Sequence, residues 1–175
     1  MRQPFPELIA PRLRITIPGK ADAVDFFDLR KDETVNFYLD RHKPMSLKEM
    51  EDFIDYLNSG NVQRKWFYWT IFLKEGPVFI GTICLWNFSK DKSNAEIGYE
   101  LKTEFQKKGF MTEAMKAVLD FAFQGLSLKE VRAYTRRDNQ NSIRLLQRFR
   151  FDKHPGINSD TEEELFFCLQ NHFIE

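Results

Sequence analysis

AEIGYELKTEFQKKGFMTEAMKAVLDFAF, residues 95–123, carries a strand signal, a turn and a helix signal in one run. Its opening, taken from Asn94, alternates polar with small or apolar side chains and predicts a strand over 94–101. Further on, Met111, Ala114, Met115, Val118 and Ala122 follow helical spacing, so 111–123 is expected to be an amphipathic helix closed by Gly125. A β-rich run at 130–136 follows, and strand, helix and strand in this order predict a right-handed βαβ crossover. Between the first strand and the helix lie Gln106, Lys107, Lys108 and Gly109. A helix N-terminus leaves backbone N–H groups without internal partners and carries partial positive charge, so a loop feeding it can hold an anion. The same residues also suit a basic, solvated turn.

Upstream, Leu13, Ile15 and Ile17 alternate with Arg12, Arg14 and Thr16, which predicts a half-buried strand ended by Pro18 and Gly19. Residues 21–39 carry Val24, Phe27, Val35 and Tyr38 at loose helical spacing and are expected to form two short helices interrupted near Lys31 and Asp32. Ser46 with Glu49 is a capping-box pattern, and Met50, Phe53, Ile54 and Leu57 then give one apolar helical face that Gly60 is expected to terminate. Two β-rich runs, 66–73 and 78–88, flank Lys74, Glu75, Gly76 and Pro77 and predict an antiparallel hairpin. Downstream, a helix over 142–149 and a strand over 164–169 complete an α/β (α+β mixed sheet) reading, an antiparallel meander leading into the crossover. No repeat, low-complexity tract or linker interrupts the chain, so one domain over 1–175 is expected.

Composition narrows the function. Lys plus Arg and Asp plus Glu are equal at 26 each, so no global field favours nucleic acid or an anionic membrane, and recognition of an anion has to be local. Eighteen Phe point to a ring-rich interior or pocket. The aromatic run Trp66, Phe67, Tyr68 and Trp69 has no basic stripe beside it, so nucleic-acid stacking is not expected. Cys84 and Cys168 lie far apart in apolar runs and read as buried free thiols of a reduced compartment. His42, His154 and His172 are scattered without metal-ligand spacing, and no metal is expected. The first residues mix prolines and charges, and no run of 18 apolar residues occurs, so a cytoplasmic protein without a membrane span is expected.

The quoted segment, together with PELIAPRLRITI (6–17), FIGTICLWNF (79–88) and NQNSIRLLQRFRF (139–151), resembles the GNAT superfamily of acyl-CoA-dependent N-acyltransferases over nearly the whole chain. The similarity is strongest to its ribosomal-protein N-terminal acetyltransferase-like (RimJ/RimL-like) branch. The resemblance implies a central, mixed, mostly antiparallel twisted sheet with helices on both faces, and splayed fourth and fifth strands. It implies that coenzyme A lies in that splay, its pantetheine arm on the fourth-strand backbone of Gly98, Tyr99, Glu100 and Leu101. An exposed strand edge offers the N–H and C=O groups that two pantetheine amides require. The family's pyrophosphate loop, [QR]xxGxG or [QR]xxGxA, matches Gln106, Lys107, Lys108, Gly109 and Phe110, with Met111 departing from the last position and Thr112 following. Asn139 and Ser142 match a polar pair near the cofactor arm and its thiol end. Both residue types are also favoured at any helix start, and both readings stand.

The implied reaction is direct transfer of an acetyl group from acetyl-CoA to a primary amine, either a protein N-terminus or a small molecule. An amine of pKa near 10 is only about a thousandth neutral at pH 7, so a proton acceptor is needed. Glu96 is the expected base, in an environment of Trp86, Phe88 and Tyr99, and Glu100, on the same strand face, competes for the role. Relatives place a proton-donating tyrosine where this chain has Leu146, which leaves water, Ser142 or the product ammonium to protonate the thiolate. A non-catalytic CoA-binding sensor is the alternative reading. Arg150 stands where the family has glycine, predicting a different helix exit or strain. Strand-rich edges admit a homodimer.

Overall fold

The structure is a computed structural model that describes residues 5–154 and 163–171. Its strands are β1 (Leu8–Ile9), β2 (Leu13–Thr16), β3 (Phe67–Leu73), β4 (Phe79–Trp86), β5 (Asn94–Leu101), β6 (Glu130–Arg136), β7 (Asp152–His154) and β8 (Glu164–Gln170). Its α-helices are α1 (Ala23–Lys31), α2 (Glu33–Asn36), α3 (Leu47–Gln63), α4 (Phe110–Asp120) and α5 (Gln140–Arg148). The strands form one mixed sheet in the order β1-β2-β3-β4-β5-β6-β8-β7. Parallel pairing joins β5 to β6 at Asn94–Glu130, Ala95–Val131 and Glu96–Arg132, after which β5 runs on to Leu101 and β6 to Arg136. On its other side β6 pairs antiparallel with β8 along its whole length. The β1 and β7 strands have two and three residues, too short for any period to show in the sequence.

Contacts group the chain into two compact units, one of Met1–Cys84 with Tyr99–Val118, the other of Leu85–Gly98 with Leu119–Glu175. In the first, Phe26 is fully buried against the rings of Phe53, Tyr68 and Phe79, the ring-rich interior that the phenylalanine count implies. Burying such a side chain contributes about 1.5–3 kcal/mol. Asp32 interrupts the first helical region because its carboxylate accepts from the N–H groups of Thr34 and Val35 and so starts α2. Ser46 caps α3 through Glu49 N–H at 3.2 Å, whereas the Glu49 carboxylate returns to Met45 N–H at 2.8 Å instead of to Ser46.

Gly60 does not end α3. The helix continues to Gln63 and stops where Arg64 adopts a left-handed φ of 53°. Gly60 instead makes room for Trp66: a Cβ there would lie 1.9 Å from the indole, whose N–H donates to Leu57 C=O at 2.9 Å. Tertiary packing, not helix termination, therefore accounts for this glycine.

In the second unit, Val131, Ala133 and Thr135 of β6 are buried and alternate with the more exposed Glu130, Arg132 and Tyr134. The helix α4 passes into one π turn, Phe121–Gly125, closed by Leu126 N–H on Phe121 C=O at 3.0 Å. The α5 helix ends in a Schellman motif: Arg150 N–H donates to Gln147 C=O and Phe151 N–H to Leu146 C=O, with Leu146 and Phe151 both buried. Arg150 occupies the left-handed position of this motif, at φ 60°. The exit is therefore the ordinary glycine exit with an arginine forced into it. Arg150→Gly is expected to stabilise the chain by about 0.5–1 kcal/mol, left-handed relief exceeding glycine's greater unfolded-state entropy. Urea denaturation checks this, and an unchanged or lower midpoint refutes it.

Candidate active site

The loop feeding α4 is built by backbone conformation more than by charge. Lys107 and Gly109 both have positive φ, 60° and 81°, and Gly109 C=O accepts Glu113 N–H at 3.2 Å as the helix begins. A β-carbon on Gly109 would meet Arg12 Nη2 at 3.3 Å, so this backbone favours glycine both by conformation and by space. Lys107 and Lys108 are exposed, and the Lys108 ammonium lies 5.8 Å from the Phe105 ring. Gln106 uses its side-chain amide on Leu101 C=O at 3.1 Å, tying the loop to the end of β5. Phe110, Met111 and Thr112 form the first turn of α4. Met111 is buried with the core, so the side chain that departs from the family pattern is turned away from the surface.

Arg12 was invisible to local reading as a loop residue. Its backbone N–H and Nε donate to the two carboxylate oxygens of Glu113 at 2.9 and 2.5 Å, and Nη2 donates to Lys108 C=O at 3.0 Å. Its guanidinium also lies 4.2 Å from the Phe110 ring centroid.

Glu100 and Glu96 share a strand face but have different surroundings. Glu100 is held by Arg41, Nη1 to Oε2 at 2.6 Å, and accepts from Thr82 Oγ1 at 3.0 Å, which in turn accepts from Tyr68 O–H at 3.1 Å. Arg41 also donates from Nε to Asn36 Oδ1 at 2.7 Å, and Asn36 donates to the carbonyls of Arg30 and Asp32. That chain keeps the Glu100 carboxylate in a largely buried ion pair with Arg41, with one hydrogen bond from Thr82.

Glu96 is half-buried and accepts from Asn87 Nδ2 at 2.6 Å. Burial raises its pKa above the ordinary carboxylate value, against the lowering effects of the Asn87 hydrogen bond and the Arg132 charge; Glu164 adds to the rise. Asn87 itself sits at φ 46°, a left-handed conformation that asparagine tolerates better than most residues. Tyr99 does not belong to the Glu96 environment that the sequence suggested, because strand alternation places residues 96 and 99 on opposite faces of β5. Tyr134 does: the Glu96 charge, after burial, helps raise its phenol pKa.

Asn139 caps α5, its Oδ1 accepting Ser142 N–H at 3.1 Å. This is the capping role foreseen for that residue type. Leu146 is fully buried and is the C3 position of the Schellman motif. Gly98 and Tyr99 are half-buried on β5 and Leu101 is buried at its end.

Neither cysteine forms a disulfide; Cys168 is buried as expected, whereas Cys84 is only half-buried. Burial pushes the Cys168 thiol pKa up, away from thiolate chemistry. His42 pairs with Glu49 at 2.6 Å and His154 packs near the Phe166 ring, while His172 lies outside the described residues. Among the described residues no group of three His, Cys, Asp or Glu is placed to hold a metal, and no helix is long and apolar enough to cross a membrane.

Comparison with known proteins gives this arrangement a family. The chain is 29% identical over 132 residues to the uncharacterized N-acetyltransferase p20 of Bacillus licheniformis, covering 75% of this chain and 74% of that one. In fold it is similar to a ribosomal-protein-S5-alanine acetyltransferase from Vibrio fischeri, with TM-score 0.84, 17% identity and coverage of 95% and 97%. It is likewise similar to RimL, a ribosomal L7/L12 alpha-N-protein acetyltransferase in complex with coenzyme A, with TM-score 0.80, 17% identity and coverage of 94% and 98%. The model of the acetyltransferase (GNAT) domain matches residues 12–152, spanning the loop, β5, β6 and α5, and the chain therefore belongs to the GNAT family of acetyltransferases and is an acyltransferase.

Proposed function

We propose that the protein transfers the acetyl group of acetyl-CoA directly to a primary amine, a protein N-terminus or a small amine, as one domain comprising both compact units. The observation that carries this reading is the left-handed backbone at Lys107 and Gly109, leading into α4 within the span matched by the family. Such a loop turns N–H groups at a helix start outward, where they suit a diphosphate. The residues fit coenzyme A: Gln106, Lys107, Lys108, Gly109, Phe110, Met111 and Thr112 for the diphosphate, and the backbone of Gly98, Tyr99, Glu100 and Leu101 for the pantetheine arm. Asn139 and Ser142 complete the cofactor set. The names of the two ribosomal-protein acetyltransferases of this fold support a protein N-terminus among the acceptors.

When bound, acetyl-CoA supplies the acetyl group as a thioester whose sulfur departs as a thiolate. Glu96 accepts the proton that the acceptor ammonium must lose before its nitrogen can form the new C–N bond. Its raised pKa suits it to that work, whereas Glu100 is already committed to Arg41 and Thr82. The Ser142 hydroxyl relays a proton from solvent to the thiolate, and the nitrogen gives up its second proton to solvent once the C–N bond has formed. No covalent enzyme intermediate is needed, and the buried, raised-pKa thiol of Cys168 is unsuited to forming one.

The test measures thiol release from acetyl-CoA with a panel of N-terminal peptides, polyamines and aminoglycosides, alongside thermal melts with coenzyme A. Amine-dependent release is expected, together with a higher melting temperature; coenzyme A at 100 times its dissociation constant adds about 2.7 kcal/mol. Stabilisation without release for any amine refutes the catalytic reading, and absence of both refutes the cofactor assignment.

A further inference from the structure

Arg12 stands immediately before β2, and its side chain reaches across to the start of α4 within the same unit. We infer that Arg12 is a positioning residue for the pyrophosphate loop, acting through Lys108 and Glu113; this rests on the reading of residues 106–112 proposed above.

Two physical arguments carry it. A trans peptide points its C=O and N–H in opposite directions, so Lys108 C=O and Gly109 N–H belong to one rigid plane. Holding that carbonyl on Arg12 Nη2 at 3.0 Å aims Gly109 N–H away from Arg12 and fixes the donor on the opposite side of the loop. The absence of a side chain on Gly109 permits the approach, since a Cβ there would stand 3.3 Å from the same Nη2.

The second argument is charge. Glu113 lies in the first turn of α4, where a carboxylate is favourable to the helix dipole and competes with any anion bound at the same end. Arg12 engages both of its oxygens, one through the backbone N–H and one through Nε, and matches the charge. The side chain of Glu113 is only 19% exposed, so without Arg12 its charge would be poorly screened from a diphosphate nearby. A lysine cannot replace this arrangement, because an ammonium lacks the planar fork that serves Glu113 and Lys108 together.

The experiment titrates the full chain with coenzyme A and, separately, with pantetheine, which lacks the diphosphate. The proteins are wild type, Arg12→Ala, Arg12→Lys and the double variant Arg12→Ala with Glu113→Gln. Arg12→Ala and Arg12→Lys are each expected to lose about tenfold in affinity for coenzyme A and nothing for pantetheine. The double variant is expected to recover about threefold of the loss, because the uncompensated carboxylate is gone. A residue that merely holds the fold together would lower both ligands alike and show no such recovery.

If wild type binds coenzyme A no better than pantetheine, the loop reading fails and the inference falls with it. If wild type prefers coenzyme A and Arg12→Ala keeps that preference, the loop reading stands and the role of Arg12 is overturned. Should Arg12→Ala fail to fold, Arg12→Lys decides, and an undiminished preference for coenzyme A in that variant overturns the inference.

Discussion

Replacing Glu96 by glutamine is expected to lower turnover by about 10²- to 10⁴-fold, the range that a positioned general base supplies. Glutamine keeps an oxygen for the Asn87 amide, so the local hydrogen bond at 2.6 Å can persist while proton acceptance is abolished. The pH profile separates this from a packing effect. With Glu96 present, the rate is expected to rise with pH as its carboxyl ionises, through a pKa raised above the ordinary value by burial. In Glu96→Gln that rise should vanish, leaving a residual rate that follows only the fraction of neutral amine. Turnover unchanged across pH would remove Glu96 from the mechanism.

The same substitution has an opposite expected effect on stability. A group whose folded pKa lies above its unfolded value contributes stability that is fully present below the unfolded pKa and is lost as pH rises through the folded one. As pH rises the wild-type chain must ionise Glu96 where burial disfavours the charge. The glutamine variant is expected to melt at or above the wild-type temperature at pH 7, with the advantage gone near pH 4. Thermal melts at both values check the sign.

Gly109→Val is expected to weaken coenzyme A binding by about 100-fold. A β-branched residue at φ 81° costs about 1–3 kcal/mol, and its Cβ would press on Arg12 Nη2 at 3.3 Å. Relief by a change of φ rotates the Lys108–Gly109 peptide and breaks the carbonyl contact to Arg12, so strain and misdirected donors are alternative outcomes with one consequence. Titration with coenzyme A reads the effect, and circular dichroism confirms that the fold persists. Affinity retained within twofold would show that the backbone around Gly109 does not hold the cofactor.

Several elements were legible because their pattern is local. Residues 94–101 and 130–136 were predicted as strands and are β5 and β6, and the interruption near Lys31 and Asp32 is the capping of α2 by Asp32. Period two and period 3.6 write buried faces into the order of residues, and caps act within three positions. The misreadings have equally physical causes. Gly60 looked like a helix stop because glycine often is one, but its reason lies in Trp66, which packs where a side chain would have been. By contrast, that Leu146 cannot donate a proton follows from its residue type alone, and its position is also the buried end of a Schellman motif.

The site was divided in the same way. Gly109, Met111, Glu96 and Asn139 were named from sequence, but not what holds them. Asn87 donates to Glu96 from nine residues away, Arg41 pairs with Glu100, and Arg12 meets Glu113 across a separation of 101 residues. By itself the sequence determined the succession of the longer strands and helices, the glycine-bent loop before α4 and the family resemblance, because backbone propensity and burial act on neighbours. Only the tertiary structure decided which of two carboxylates is tied to an arginine and which residue anchors the loop. Ion pairs and shared peptide planes between distant segments depend on side-chain geometry and leave no period in the chain.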